Sequence, residues 1–80
     1  MLESIIDTYP DDEFLKVDGY DEAIIGVDMA SSNLIYSYAK MIEIMMEEGM
    51  DQEEAREYFD FNIAGAYMGE KTPIFCNDEF

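Results

Sequence analysis

Net charge sets the first limit on how this 80-residue chain can fold. Twenty Asp and Glu residues stand against four Lys and Arg residues and no His, which gives a formal charge of −16 at pH 7. A small soluble domain usually carries roughly 2 to 8 net charges, so this fold must tolerate strong self-repulsion. Hydrophobic residues nevertheless make up 49% of the chain, whereas disordered segments combine high charge with low hydrophobicity. The sequence therefore predicts a single folded acidic domain over residues 1–80.

The same charge limits the partners of the chain. Nucleic acids and anionic membranes would repel it, so we expect neither to bind directly. A single cysteine, Cys76, allows no intrachain disulfide, which is typical of a reducing compartment. Because the first residues also lack the basic and apolar regions of a secretory signal, we expect a soluble cytoplasmic protein.

Apolar spacing and turn residues predict how the N-terminal half is organised. The apolar residues of Leu2–Thr8 fall on one side of a short helix, which Pro10 is expected to end at Tyr9. Residues 14–17 and 23–29 are two β-type runs, and Asp18-Gly19 between them is a strong turn signal. We therefore expect these two runs to form a β-hairpin.

Residues 31–37 fit two interpretations. The apolar residues from position 34 onward have continuous helical spacing, so a helix could begin just after Ser32. Alternatively, residues 34–36 form a third strand, and Ser37 caps a helix that begins at Tyr38. We favour the strand, because a three-stranded meander is stable where a lone hairpin is marginal.

Two helices and a final strand are expected in the C-terminal half. Gly49 is suited to end the first helix in the left-handed conformation. Asp51, with Glu54 three residues later, resembles a capping box for a second helix that continues to Gly69. Pro73 prevents further helix, and residues 73–76 are expected to add an edge strand. The predicted fold class is α+β: a small antiparallel sheet of about three strands covered by a C-terminal helical hairpin.

The sequence offers little for catalysis or for metal and cofactor binding. There is no His, and Asp78 and Glu79 near Cys76 would disfavour its thiolate. An EF-hand register with Gly19 at its sixth position places Phe14 and Lys16 at ligand positions, so the motif fails. The many carboxylates formally allow an acid–base pair. We nevertheless expect a binding protein that is not an enzyme and needs no cofactor.

Acidic residues recur at helical spacing on both long helices. Glu43 and Glu47 are four residues apart on the first helix, as are Glu53 and Glu57 on the second. Such spacing places each pair on one face, where ordinary exposed helices interleave Lys with Glu. A rigid array of carboxylates favours a DNA mimic that competes for a protein's DNA-binding groove. An acidic adaptor or assembly protein that binds through apolar helix faces is the alternative. The predicted partner-binding residues on this basis are Glu43, Glu47 and the N-terminal run Asp11, Asp12 and Glu13.

Methionine is the second unusual feature, with seven residues in the chain. Methionine fills irregular gaps in cores, and it is also common on adaptable binding surfaces. Met41 and Met45 are expected to face the sheet, with Met29 nearby. The three side chains are therefore predicted either to pack in the core or to line a pocket for a partner's side chain.

Two parts of the chain resemble known proteins. Glu3-Ser4-Ile5 resembles the Glu-Ser-Ile element of the uracil-DNA glycosylase inhibitors of phages and staphylococci. The resemblance implies that Glu3 and Ser4 hydrogen-bond to the DNA-binding loops of the glycosylase, and all three residues, Glu3, Ser4 and Ile5, are predicted to bind the partner. It also implies that acidic residues mimic phosphates and that an apolar pocket, here the three methionines, receives a leucine of the enzyme. The residues themselves equally allow a first helical turn in which Ser4 is a cap and Ile5 packs inward.

The second resemblance covers the C-terminal half. Phe59-Asp60-Phe61-Asn62 and Gly69-Glu70-Lys71-Thr72-Pro73 are similar to segments of small acidic proteins of tailed phages, which implies a phage origin. The sequence thus predicts a phage-type DNA-mimic inhibitor of a host DNA-processing enzyme. Uracil-DNA glycosylase is the favoured target, and restriction enzymes and CRISPR effectors are the alternatives.

Overall fold

The structure is a computed structural model that describes residues 1–64 and 69–80. It begins with helix α1, Leu2–Thr8, as the sequence predicts. The N–H of Tyr9 still donates to the carbonyl of Ile5 at 2.9 Å, and Pro10 then prevents continuation because its ring is incompatible with a helix interior.

Three strands form one mixed sheet in the order β1-β2-β3. Strands β1, Ile24–Val27, and β2, Leu34–Ser37, pair antiparallel, whereas β3, Ile74–Cys76, pairs with β2 in parallel. The α+β class is thus confirmed, as is the favoured strand at residues 34–36, but the prediction of an antiparallel sheet is wrong for β3. The reason is that β2 continues directly into a helix. A helical connection lets the chain return to the start of β2 and run alongside it in the same direction.

Residues 14–17 are not a strand, so the predicted hairpin with residues 23–29 is wrong. The N–H of Val17 donates to the hydroxyl of Tyr36 at 2.8 Å and makes no ladder hydrogen bond there. The Asp18-Gly19 turn does form, with Gly19 at φ 91°, but it leads into a short 3₁₀ helix, Asp21–Ala23. Helix α1 packs against β1, the strand that the hairpin would have used.

Helix α2 spans Tyr38–Glu47 and begins where the sequence predicts. Ser37 is its N-cap, and its hydroxyl oxygen accepts the N–H of Lys40 at 3.1 Å. Gly49 lies at φ 111° just beyond the helix, a conformation that glycine adopts without steric penalty. The last residue of β2 therefore also starts the helix that covers the sheet.

Helix α3 spans Gln52–Tyr58, and the Asp51 carboxylate accepts the Glu54 N–H at 2.8 Å as predicted. The chain then widens into a π-helix, Phe59–Ala64, so the expected single α-helix is wrong beyond Tyr58. The side-chain amide of Asn62 donates to the Tyr58 carbonyl at 3.2 Å, which is how a polar side chain competes with the regular backbone pattern. The remainder of that predicted helix, residues 65–68, lies outside the described residues.

The core draws on α1, the sheet, both later helices and the π-helix. Four side chains in its centre are almost or fully inaccessible: Leu34, Tyr36, Met41 and Met45. The wider cluster of buried apolar residues is Ile5, Tyr20, Ala23, Ile24, Leu34, Tyr36, Met41, Ile42, Met45, Ala55, Phe59 and Ile63.

Candidate acidic binding surface

The predicted carboxylates of α2 border a groove on the outer face of that helix. Glu43 and Glu47 are exposed and lie one helical turn apart, a rise of about 6 Å. The 3₁₀ helix that precedes β1 adds Glu22, which the sequence prediction missed because Glu22 is distant from α2 in the chain. The groove measures about 290 Å³ and is lined by Glu22, Lys40, Glu43, Ile44 and Glu47.

Helix α3 presents a second acidic face. Glu53, Glu54 and Glu57 are all exposed on it. Arg56 is directed away from them and forms a two-pronged ion pair with Glu79, with N–O distances of 2.9 and 3.2 Å. The helix therefore keeps its carboxylates toward solvent while its one arginine fastens the C-terminal segment.

Few of the exposed carboxylates are neutralised by a basic side chain. Between side chains of residues 1–64 and 69–80, two ion pairs form: Lys16 with Asp21 at 3.4 Å and Arg56 with Glu79 at 2.9 Å. Neither ion pair involves the acidic residues of α2 or the exposed face of α3. These two faces thus present largely uncompensated negative charge.

The N-terminal acidic run lies on a different surface. Asp11, Asp12 and Glu13 are exposed and follow α1, where the N–H of Asp12 donates to the Tyr9 carbonyl at 3.2 Å. Asp12 borders a mainly apolar groove of about 310 Å³, together with Leu2, Ile6, Phe14, Lys16 and Leu34. The structure therefore does not bring this run into the groove on α2.

Glu3-Ser4-Ile5 forms part of the seven-residue helix α1, which makes about two turns. Glu3 and Ser4 are exposed, but Ile5 is 7% exposed and belongs to the core. The N-cap is Met1, which makes no side-chain capping bond, so the alternative prediction of Ser4 as a cap is wrong. Inward packing of Ile5 is confirmed, and its burial is at odds with the prediction that Ile5 contacts a partner.

The three predicted methionines do not line a common pocket. Met41 and Met45 are fully buried, in agreement with core packing, whereas Met29 is 93% exposed. Met29 is exposed because it lies in the turn between β1 and β2. In this turn the N–H and hydroxyl of Ser31 both donate to the Asp28 carboxylate at 2.8 Å. This turn carries Met29 at its exposed tip.

Two aspartates support the fold through hydrogen bonds. The hydroxyl and N–H of Ser31 lower the pKa of Asp28, and the hydroxyl of Ser37 with the N–H of Ala39 lowers the pKa of Asp78. Both carboxylates are occupied within the chain and are poor candidates for contacts with a partner. No local sequence pattern could have identified Asp78, because its hydrogen-bond partner Ser37 is 41 residues away.

The described part of the chain contains neither a cluster of potential metal ligands nor a membrane-spanning helix. Its Cys, Asp and Glu side chains include no group of three or more that could hold a metal ion. No described helix is long and apolar enough to cross a membrane.

Comparison of the chain with known protein families, curated proteins and solved structures found no match. Function is therefore inferred from the surface of the chain itself.

Proposed function

We propose that the chain is a DNA mimic that occupies the DNA-binding groove of a host DNA-processing enzyme and blocks it without chemistry. Its charge density carries the proposal. The longest dimension of the fold is 38 Å. With a charge of −16, the chain averages about one net charge per 2.4 Å of that axis, against about one per 1.7 Å for duplex DNA.

The secondary structure favours a rigid presentation of this charge. Glu43 and Glu47 extend from a helix with a hydrogen-bonded N-cap, and Glu53 and Glu57 extend from another. Like-charge pairs at this spacing each destabilise a helix by roughly 0.2 to 0.5 kcal/mol. A binding partner that supplies the missing positive charge relieves this repulsion, and a fixed array loses little conformational entropy on binding.

Uracil-DNA glycosylase is the first target to test, because of the resemblance at Glu3-Ser4-Ile5. Ile5 of this element is buried, and Met29 does not join Met41 and Met45 in the pocket that the resemblance implies. Glu3 and Ser4 remain accessible on α1. Restriction enzymes and CRISPR effectors, which also bind DNA in basic grooves, are the alternative targets.

An acidic adaptor protein is the second candidate function. It is favoured by apolar side chains left exposed on helical segments, namely Ile6 at 50%, Met46 at 45% and Phe61 at 83%. Methionine and aromatic side chains are enriched in the cores of protein interfaces. Apolar docking differs from DNA mimicry in its response to salt, because screening weakens electrostatic contacts between exposed groups and leaves apolar contacts almost unchanged.

Enzyme inhibition at increasing salt tests the proposal. Uracil excision from a DNA duplex is measured with and without the protein between about 50 and 200 mM salt, a range over which phosphate contacts lose much of their affinity. We expect inhibition that competes with DNA and weakens steeply with salt. Affinity that stays constant over this range contradicts mimicry and supports the adaptor. If glycosylase is not inhibited at low salt, a restriction endonuclease and an RNA-guided nuclease are tested in the same way.

We place this activity in the cytoplasm of the host cell, where a DNA-processing enzyme would be met. The exposed free thiol of Cys76 is consistent with that placement, because a reducing compartment keeps such thiols from forming intermolecular disulfides.

A further inference from the structure

A shallow groove lined in part by two aromatic side chains lies beside the junction between α3 and the π-helix. It measures about 310 Å³, and its described lining residues are Met50, Glu54, Glu57, Tyr58, Phe61 and Asn62. Phe61 is 83% exposed and Tyr58 is 42% exposed. This groove, called the Phe61 groove below, shares none of its described lining residues with the acidic groove on α2.

The local backbone explains why Phe61 lies outside the core. Phe59 and Ile63, two residues before and after it, are both buried. The bond from the Asn62 amide to the Tyr58 carbonyl holds the start of the π-helix. Short π-helical segments are frequent at functional sites. Phe61 therefore contributes little to the described packing, although an aromatic ring of this size usually buries 150–250 Å².

The charges at the rim define the chemistry of an occupant. Glu54 and Glu57 are exposed on the rim, and the described lining includes no Lys or Arg. Arg56 is held on another face by Glu79. A lining that combines aromatic rings with carboxylates complements an apolar side chain flanked by basic residues. Protein interfaces commonly combine apolar contacts with charge complementarity in this way.

We infer that the Phe61 groove docks a basic amphipathic segment of a protein partner. An apolar side chain of that segment packs against Phe61 and Tyr58, and its Lys or Arg residues pair with Glu54 and Glu57. This inference rests on the proposed function for the presence of a basic partner. It adds a contact that DNA itself does not make, so part of the affinity for the target persists when salt screens the carboxylates.

Two synthetic peptides of equal charge test the groove. One is a helical peptide of Lys and Leu with its leucines on one face, and the other has every Leu replaced by Ser. Their dissociation constants are measured by fluorescence anisotropy with wild type and with Phe61→Ala. We expect the substitution to weaken the Leu peptide about tenfold or more, as for a central apolar anchor, and to leave the Ser peptide within about twofold.

Matched variants separate groove binding from general effects. Met29→Ala removes another highly exposed apolar side chain and should leave both peptides unaffected. Glu54→Gln with Glu57→Gln should weaken both peptides, because both carry the same charge. Circular dichroism confirms that each variant is folded. Equal affinity of wild type and Phe61→Ala for the Leu peptide, or equal weakening of both peptides by Phe61→Ala, overturns the inference.

The same variants distinguish this inference from the proposed function. If the wild type does not compete with DNA but still binds the Leu peptide through Phe61, mimicry is wrong and the docking groove stands. If the wild type competes with DNA and Phe61→Ala changes neither competition nor peptide affinity, the docking groove is wrong and mimicry stands.

Discussion

Asp78 accepts a hydrogen bond from the hydroxyl of Ser37 at 2.5 Å, which joins the C-terminal segment to the start of α2. The second carboxylate oxygen of Asp78 accepts the N–H of Ala39 at 3.0 Å. Ser37 itself accepts the N–H of Lys40. The N–H groups of Ala39 and Lys40, which have no acceptor within the helix, are thus both hydrogen-bonded. The helix that carries Glu43 and Glu47 is held in place by a residue 41 positions beyond its cap.

Replacement of Ser37 by Ala should destabilise the fold measurably. The variant loses the acceptor for Lys40 and the donor to Asp78, and loss of an N-cap typically lowers the free energy of unfolding by about 1 to 2 kcal/mol. Urea denaturation measures the change. Ser4→Ala, at an exposed position of α1, is the matched control and should change stability by less than about 0.5 kcal/mol. Equal stability of the two variants would show that the cap contributes little.

Acid should weaken the fold through Asp78. Hydrogen bonds from Ser37 and Ala39 lower its pKa in the folded state, so its contribution to stability is present above its unfolded pKa of about 3.9. That contribution is lost as pH falls through the lower folded pKa. We expect the free energy of unfolding, measured by urea denaturation below about pH 4, to fall less steeply in Asp78→Asn than in wild type. Identical slopes would contradict this role.

Replacement of Tyr36 by Phe should leave a backbone donor without its partner. The Tyr36 hydroxyl accepts the Val17 N–H at 2.8 Å, and the Tyr36 side chain is fully buried. An unsatisfied donor of this kind costs about 1 to 3 kcal/mol. Thermal and urea unfolding measure the loss. Tyr9→Phe, at a partly exposed position, should change stability by less than about 0.5 kcal/mol, and a similarly small effect at Tyr36 would contradict the prediction.

Local rules account for most elements that the sequence predicted correctly. Pro10, Ser37, Gly49 and Asp51 each act within one helical turn, and the helix boundaries near them were predicted. The prediction of a hairpin at residues 14–17 was wrong because the Val17 N–H donates to the hydroxyl of Tyr36, a residue distant in the sequence. The direction of β3 likewise depends on the path of two helices. Such long-range partners leave no periodic signal in one sequence.

The candidate site shows the same limit. Helical spacing placed Glu43 and Glu47 on one face of α2, but nothing near them in sequence indicates that Glu22 lies beside them. The prediction that Met29 lies near Met41 and Met45 was wrong. The turn closed by the Asp28 carboxylate, and not apolar spacing, sets the position of Met29. The exposure of Phe61 could not be predicted, since helical spacing alone does not show that an aromatic residue remains outside the core.

Added salt should stabilise the fold. Net charge far from zero destabilises a compact state by self-repulsion, and the Debye length shortens from about 30 Å at 0.01 M salt to about 8 Å at 0.15 M. We therefore expect the midpoint of thermal unfolding to rise between these two concentrations. Sodium and potassium chloride should act alike if screening is the cause. A midpoint that falls with both salts would show that attractive ion pairs outweigh the repulsion.

Neutralising Glu43 and Glu47 tests whether the acidic groove itself contacts the target. With Glu43→Gln and Glu47→Gln, competition with DNA for the enzyme should weaken about tenfold at low salt, because two aligned contacts are lost. The helix should become slightly more stable, since a like-charge pair is removed. Competition is measured by displacement of a labelled duplex from the inhibited enzyme.

A second pair of substitutions controls for charge alone. Asp7→Asn with Asp18→Asn removes the same charge from exposed positions outside the acidic groove and should weaken competition only about two- to threefold through the overall field. The difference between the two pairs should shrink at about 1 M salt, where the Debye length is about 3 Å. Equal weakening by both pairs would show that total charge, and not the array on α2, directs binding.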